Sequence, residues 1–244
     1  MKKFYNLVKG EFIRLIKYNV LLVSFIVTIL WILSLIFIKD FDLIINLLPI
    51  IIMIDTTLMA PLYIGSILFF EKDEQTIISQ LVTPTSYNQQ IIAKVIVNLI
   101  HTMISVLLIV LSFYFIKNIQ VNWYILIPSL LVVSIFHSFL GYIFSYHSKD
   151  FISLLLNITI YAIIFTVPSL LNSFNVFFKG ETWSYILTAL PPQASGILFE
   201  VSFGASALVH TILSFGYLIA LSIFSYCYYV LPKYQQFSLK AGGS

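Results

Sequence analysis

Residues 19–38 read NVLLVSFIVTILWILSLIFI, a run of twenty residues that contains no charged side chain. As a helix this run would extend about 30 Å, which matches the hydrocarbon thickness of a bilayer. The rest of the 244-residue chain has the same character, because 60% of its residues are hydrophobic and only 9% are charged. In soluble domains about a quarter of all residues are charged, so the composition predicts an integral membrane protein.

Five further apolar runs follow the first, and short polar joints separate several of them. The predicted spans are 19–38, 43–70, 91–116, 123–146, 151–171 and 207–231. Because backbone groups in lipid must satisfy their own hydrogen bonds, the spans are predicted to be helices. The fold class is therefore an all-α integral membrane protein with six transmembrane helices. Lys2 and Lys3 also fit a signal peptide, but the apolar run is long for one and no small-x-small cleavage site follows.

Two segments do not fit simple spans. Residues 1–18 place apolar side chains at helical spacing opposite Lys2, Lys9, Arg14 and Lys17, which predicts an amphipathic elbow helix on the membrane surface. A helix packed on another protein is the alternative. The outer segment 172–206 contains two short apolar pieces, 184–190 and 197–203, separated by Pro191-Pro192. Each piece is too short to cross, so the segment predicts an interfacial or re-entrant helix pair.

The positions of lysine and arginine predict the orientation. With the N-terminus in the cytoplasm, only Lys39, Lys117 and Lys179 of the 13 basic residues fall outside. The positive-inside rule therefore places both termini in the cytoplasm. Residues 71–90 then form a cytoplasmic loop, and residues 232–244 form a cytoplasmic tail whose last four residues, AGGS, resemble a cloning remnant.

Catalytic motifs are missing from the sequence. It has no G-x-x-x-x-G-K-[ST] phosphate loop, its four histidines form no H-E-x-x-H pair, and a single cysteine cannot form a disulfide within the chain. Ser66 with His101 could suggest an intramembrane serine protease, but no nucleophile motif surrounds the serine. A basic surface with interleaved aromatic residues is also missing, so no nucleic-acid partner is expected. The chain is not expected to be an enzyme, to bind a cofactor or to hold a metal.

The most informative segment is the loop between the second and third predicted spans. Residues 70–84 read FEKDEQTIISQLVTP, with charges at the start, apolar side chains in the middle and a proline stop at the end. This pattern predicts a short helix parallel to the membrane. It is either a solvated loop or a docking surface for a soluble partner. The candidate docking residues are Glu71, Asp73, Glu74, Thr76, Ile77, Leu81, Thr83 and Pro84.

The loop resembles the signature loop of ABC-2 type transporter permeases, in which E-x-E-x-G-T is followed by a leucine-rich turn and T-P. Glu71, Asp73 and Thr76 stand at the acidic, acidic and threonine positions, and residues 81–84 supply the L-V-T-P end. Gln75 stands where the family prefers glycine, and Glu74 where a basic residue is common. The elbow helix, six spans and short outer pair extend the resemblance over most of the chain, and the loop is most similar to that of fluoroquinolone-export-type permeases.

The resemblance implies a permease subunit of an exporter for a hydrophobic or amphipathic compound. Such permeases form dimers with a second copy or a paralogue, and each docks a separate ABC-type ATPase subunit through this loop and the elbow helix. ATP and Mg would bind to that partner and not to this chain. The resemblance also implies a bacterial cell membrane as the location.

Polar residues inside the predicted spans are candidates for a transport pathway. They are Asp55, Thr56, Thr57, His101 and His137. Charged groups at this depth are costly and usually face the bundle interior or a wet cavity. The alternative is a hydrogen-bonded pair of Asp55 and His101 that locks two helices together. Two other functions stay open: a proton-coupled secondary transporter that uses these two residues, and a non-transporting binding or immunity subunit.

Overall fold

The computed structural model describes residues 2–77, 83, 85–174, 176–178 and 181–242, which form helices and no strand. The helices are α1 (Lys2–Lys17), α2 (Val20–Ile36), α3 (Phe41–Ile54), α4 (Ala60–Asp73), α5 (Tyr87–Lys117), α6 (Trp123–His147), α7 (Phe151–Tyr161), α8 (Val167–Ser173), α9 (Glu181–Leu187), α10 (Pro191–Ser202), α11 (Leu208–Ser225) and α12 (Leu231–Gly242). Three five-residue π-helical turns continue the chain within longer helices: Asp55–Met59, Ala162–Thr166 and Tyr226–Val230.

Several helical segments are long and apolar enough to cross a membrane. Within the described ranges, five segments meet this condition: Phe41–Asp73, Tyr87–Lys117, Trp123–His147, Phe151–Ser173 and Leu208–Gln236. A sixth is added if α1 and α2, which meet at a bend of 67°, count as one broken span. The prediction of an all-helical, membrane-type fold is therefore confirmed, and the count lies between five and six.

Apolar packing holds the bundle together in two main clusters. The larger one joins α3, α5, α6, α10 and α11 around residues such as Leu48, Ile109 and Leu130, all of which are fully buried. The second joins α1, α4, α5, α6 and α12 around Leu15, Ile64 and Tyr142. The first helix is therefore part of the packed structure, because its Leu15 side chain has no exposed surface.

The outer helix pair differs from the predicted one in its second half. Hydropathy predicts an apolar piece that begins at residue 197, whereas α10 begins at Pro191. The two prolines start this helix because a proline in the first turn has a suitable φ and needs no hydrogen-bond donor. Residues 191–199 are all buried, and α10 packs on α3, α6 and α11. The second piece is therefore a buried helix of 12 residues.

The polar joint after α4 contains a left-handed residue. Gln75 has φ of +55°, and its backbone N–H donates to the carbonyl of Lys72 at 3.0 Å. The chain thus makes a tight turn here at a glutamine. Side chains with a Cβ are disfavoured in this region by about 1 kcal/mol.

We therefore expect Gln75→Gly to stabilise the protein by up to about 1 kcal/mol, because the glycine removes the Cβ conflict. The measurement is the melting temperature of the purified protein, followed by fluorescence-detected size-exclusion chromatography after heating. Asn118→Gly is the matched control: Asn118 also has φ of +55°, but asparagine tolerates this conformation, so its gain should be smaller. A lower melting temperature for Gln75→Gly would contradict the expectation.

Candidate functional site

Four charged side chains from three helices meet in one cluster, which we call the ion cluster. It consists of Glu11 and Arg14 of α1, Glu71 of α4 and Lys94 of α5. The Lys94 ammonium donates to Oε1 of Glu11 at 2.7 Å and to Oε1 of Glu71 at 2.5 Å. The Arg14 guanidinium donates to the same two oxygens at 2.8 and 2.7 Å. Each cation therefore bridges both carboxylates.

Burial makes the ion cluster unusual. The side chains of Glu11, Glu71 and Lys94 have no exposed surface, and that of Arg14 is 25% exposed. Two carboxylates and two cations balance, so no net charge is buried when all four are ionised. Removal of one member would leave an uncompensated charge, which costs far more than a surface pair contributes. The Oε2 atoms of Glu11 and Glu71 find no hydrogen-bond partner in the described part of the chain.

Local sequence explains how the three helices present these groups. Glu11 and Arg14 lie three residues apart and so share one face of α1. Ser86 starts α5 with a capping box, in which its hydroxyl accepts from the Gln89 backbone and the Gln89 side chain accepts from the Ser86 backbone. This cap fixes the start of α5, and Lys94 lies about two turns further along.

A second, exposed contact joins α1 to the end of α4. Lys17 donates to both carboxylate oxygens of Glu74 at 2.8 Å, and the Tyr18 hydroxyl donates to the same group at 2.9 Å. The hydrogen bond from Lys17 has the largest effect on the pKa of Glu74 and the one from Tyr18 the next largest. Together they hold this pKa below its ordinary value. The contact lies at the surface, so salt screens it and its contribution to stability is small.

The predicted docking residues fall into different environments. Glu71 is fully buried in the ion cluster and Ile77 is buried, so neither side chain lies on the surface. Asp73 is exposed, and Glu74 is exposed although Lys17 binds it. Thr76 and Thr83 use their hydroxyls within the loop, the first on the Glu71 carbonyl and the second with Thr85. Leu81 and Pro84 lie outside the described residues.

A polar stripe continues along α5 from the ion cluster toward the middle of the bundle. Its members lie at positions i, i+4, i+7, i+8 and i+11 of the helix and are all buried: Lys94, Asn98, His101, Thr102 and Ser105. The Asn98 amide donates to the Ser138 hydroxyl at 2.7 Å, and Thr102 donates to the Asn98 carbonyl. Ser105 and Ser24 of α2 share a hydrogen bond of 3.1 Å. The stripe therefore connects α5 to both α6 and α2.

Asp55 and His101 do not form the predicted locking pair. Asp55 opens a π-helical turn and is buried, and no hydrogen bond joins it to His101. Thr56 and Thr57 donate to carbonyls of their own helix at 2.7 Å. The Nε2 atom of His101 lacks a partner among the described residues, and its ring stacks on that of Tyr63 at 5.1 Å. The hydroxyls of Thr56 and Thr57 are thus used within their own helix, whereas Nε2 of His101 is an unused hydrogen-bonding atom.

Hydrogen bonds to neighbouring groups occupy both ring nitrogens of His137. Its Nδ1 atom lies 2.8 Å from the Val133 carbonyl, and its Nε2 atom lies 3.1 Å from the Tyr161 hydroxyl. A carbonyl can only accept, so Nδ1 donates, and Nε2 of a neutral ring accepts from the tyrosine. Both ring nitrogens are used, and the contact ties α6 to α7.

Glu11, Arg14 and Lys94 are the residues that sequence reasoning missed. Arg14 enters the sequence analysis as part of the basic face of the elbow helix and Lys94 only as one of the positive charges, whereas Glu11 has no role in it. A signal for two of them was present: Glu11 lies between apolar neighbours of the amphipathic helix, and Lys94 lies four residues into an apolar run that begins at Ile91. A charged residue inside such a run usually has a partner.

Within the described ranges, no three His, Cys, Asp or Glu side chains lie close enough together to hold a metal ion. The sequence matches no protein-family model, and no curated protein is significantly similar to it. The resemblance of residues 70–84 to a permease loop therefore depends on those residues alone.

Proposed function

We propose that this chain is the permease subunit of an ATP-binding-cassette transporter that exports a hydrophobic or amphipathic compound across a bacterial cell membrane. The subunit crosses six times, with α1 as a cytoplasmic elbow helix and both termini in the cytoplasm. It pairs with a second copy or a paralogue. A separate ATPase subunit holds ATP and Mg and docks on the loop at residues 71–90.

One observation supports this proposal above the others. The ion cluster fastens α1, the end of α4 and the start of α5 together, and the loop leaves α4 directly beside it. A loop that receives force from a soluble partner must be rigidly attached to the membrane helices, because a flexible attachment would absorb the movement. The exposed Asp73 at the end of α4 offers such a partner an acidic group beside the ion cluster.

The test is co-expression with an ATPase subunit that a neighbouring gene encodes. We expect the two proteins to purify together, and Asp73→Lys to reduce the co-purified ATPase and its stimulated ATP hydrolysis at least several-fold. Asp73 is preferred to Glu71 because substitution of the buried Glu71 would disrupt the ion cluster. The control is Asp42→Lys, the same charge reversal at an exposed site at the start of α3.

Full binding and stimulation by Asp73→Lys, or an effect as large for Asp42→Lys, would contradict docking on this loop. The absence of any co-purifying ATPase would contradict the transporter class itself.

A proton-coupled secondary transporter is the second candidate. The buried stripe on α5 favours it, because Lys94, Asn98 and His101 form a row of polar groups that starts at two carboxylates. In liposomes that contain this chain alone, a pH gradient would then drive substrate movement. The ATPase-dependent model predicts no such movement.

A further inference from the structure

Two clefts lie on either side of α2 and meet at the same two residues. The small cleft has a volume of about 250 Å³ and lies between α2, α4, α5 and α7. The large cleft, about 490 Å³, lies between α1, α2 and α5. Ser24 of α2 and His101 of α5 line both. The two clefts therefore adjoin each other at these two residues.

α2 lines both clefts and has few buried side chains. Only Thr28 and Leu35 of its 17 residues are buried. The helix begins after Asn19, which has φ of +55°, at the 67° bend from α1. A wall with so few buried side chains can move outward at little cost, so a compound larger than the resting cleft can be accommodated.

The small cleft is mainly apolar, and the hydroxyls of its lining residues Tyr18, Ser24 and Ser66 already have hydrogen-bond partners. Its lining includes Val23, Val27, Leu62 and Leu155, and no described Asp, Glu, Lys or Arg belongs to it. At one side the rings of Tyr63 and His101 stack on each other. Tyr63 is 3% exposed and His101 is 7% exposed. Neither the Tyr63 hydroxyl nor His101 Nε2 has a hydrogen-bond partner among the described residues.

Buried polar groups without a partner are costly and therefore rare in folded proteins. Two of them, on stacked residues that both line the small cleft, indicate that a bound molecule supplies the missing group once an outward movement of α2 uncovers the two atoms. The absence of charged lining residues argues against an ionic ligand. A cavity of 150 Å³ holds benzene, so about 250 Å³ holds a ring with a short chain.

We propose that the small cleft is a binding site for an uncharged, mainly apolar compound whose single hydroxyl or carbonyl group pairs with Tyr63 and His101. The apolar body lies against α2, α4 and α7. Binding of this compound does not depend on the transporter proposal. That the bound compound is the transported one does rest on it.

The test uses 4-hexylphenol, which carries an apolar chain and one hydroxyl, and a photoreactive diazirine analogue of it. The purified full chain is placed in phosphatidylcholine nanodiscs, labelled with the analogue and mapped by mass spectrometry. We expect labelled peptides from α2, α4, α5 and α7, and loss of the label when unmodified 4-hexylphenol is added in excess.

Three variants separate the polar contacts from the space. Tyr63→Phe and His101→Phe keep a ring but remove the polar atoms, and each should weaken binding about fivefold, as expected for one lost hydrogen bond. Val27→Trp fills the cleft from the loosely packed α2 and should abolish labelling with little risk to folding. Tyr124→Phe, at a residue 91% exposed on α6, is the control and should bind normally.

Unchanged affinity in both Tyr63→Phe and His101→Phe would overturn the proposal. So would labelling of the cleft by a diazirine phosphatidylcholine that 4-hexylphenol cannot displace, because the cleft would then be a groove for lipid chains. Binding is measured without any ATPase subunit. A failure to find that subunit would therefore overturn the transporter proposal and leave the binding result intact.

Discussion

Replacing Lys94 with methionine is expected to lower the melting temperature of the purified protein sharply, by an amount equivalent to about 3–5 kcal/mol. The Lys94 ammonium lies 2.7 and 2.5 Å from the carboxylates of Glu11 and Glu71, and all three side chains are fully buried. Methionine fills a similar volume but brings no charge. Two buried carboxylates would then share only Arg14, so one negative charge would be unbalanced.

A second substitution should restore part of the loss. In the double variant Glu71→Gln with Lys94→Met, only Glu11 and Arg14 remain charged, and they balance. We expect the double variant to melt above Lys94→Met alone, with an interaction energy of about 1–3 kcal/mol in a double-mutant cycle. Fluorescence-detected size-exclusion chromatography after heating provides the melting temperatures.

Lys17→Met is the matched control for this cycle. Lys17, like Lys94, binds a glutamate at the end of α4. Both partners of this pair are exposed, with 59% of the Lys17 side chain and 36% of the Glu74 side chain accessible. The cost of this substitution should stay within about 1 kcal/mol. Equal losses for Lys94→Met and Lys17→Met would show that the ion cluster does not hold α1 in place.

Hydropathy predicted the long helices because a membrane-type helix is a local property. The spans of α3 to α8 follow from mainly apolar runs whose length can be counted along the chain. The run around Asp55 was predicted as a single span in spite of Pro49 and Pro61, and the structure keeps it helical by a π-helical turn at Asp55–Met59. Neighbouring residues alone decide these features.

The ion cluster could not be predicted in the same way, because its members are far apart in the sequence. Lys94 and Glu11 are separated by 83 residues, and Arg14 and Glu71 by 57. Their contact depends on α1 packing against α4 and α5, which no local pattern indicates. Glu71 shows the consequence. Because it begins a charged loop, the sequence predicts that it docks a partner, whereas the structure buries it in the ion cluster.

The ion cluster also changes how the loop should be regarded. A force on the residues that follow Asp73 would be transmitted to α1 and α5 through charged hydrogen bonds as well as through apolar contacts. Such bonds have a fixed geometry, whereas apolar contacts can slide. The N-terminal helix and the loop should therefore move as one unit, whatever partner binds there.

Gly141→Ala is expected to cost about 2–3 kcal/mol, because α4 and α6 leave no room for the added carbon. A Cβ on Gly141 would lie 2.8 Å from the Pro61 carbonyl oxygen and 2.9 Å from the Pro61 Cα. Both atoms belong to the backbone, so relief requires the two helices to separate. These helices also make the most extensive contact of any described pair, and a separation would loosen the centre of the bundle.

Two other glycines complete a graded series in the same assay. A Cβ on Gly65 would lie 2.5 Å from the Leu154 Cδ2 atom, the flexible end of a side chain, so Gly65→Ala should cost about 1 kcal/mol. A Cβ on Gly216 of α11 would meet nothing within 4 Å, and Gly216→Ala should be neutral or stabilising by up to about 1 kcal/mol. The expected order of melting temperatures is Gly216→Ala, Gly65→Ala, Gly141→Ala from highest to lowest. If Gly141→Ala melted as high as Gly216→Ala, α4 and α6 could not pack as closely as the structure places them.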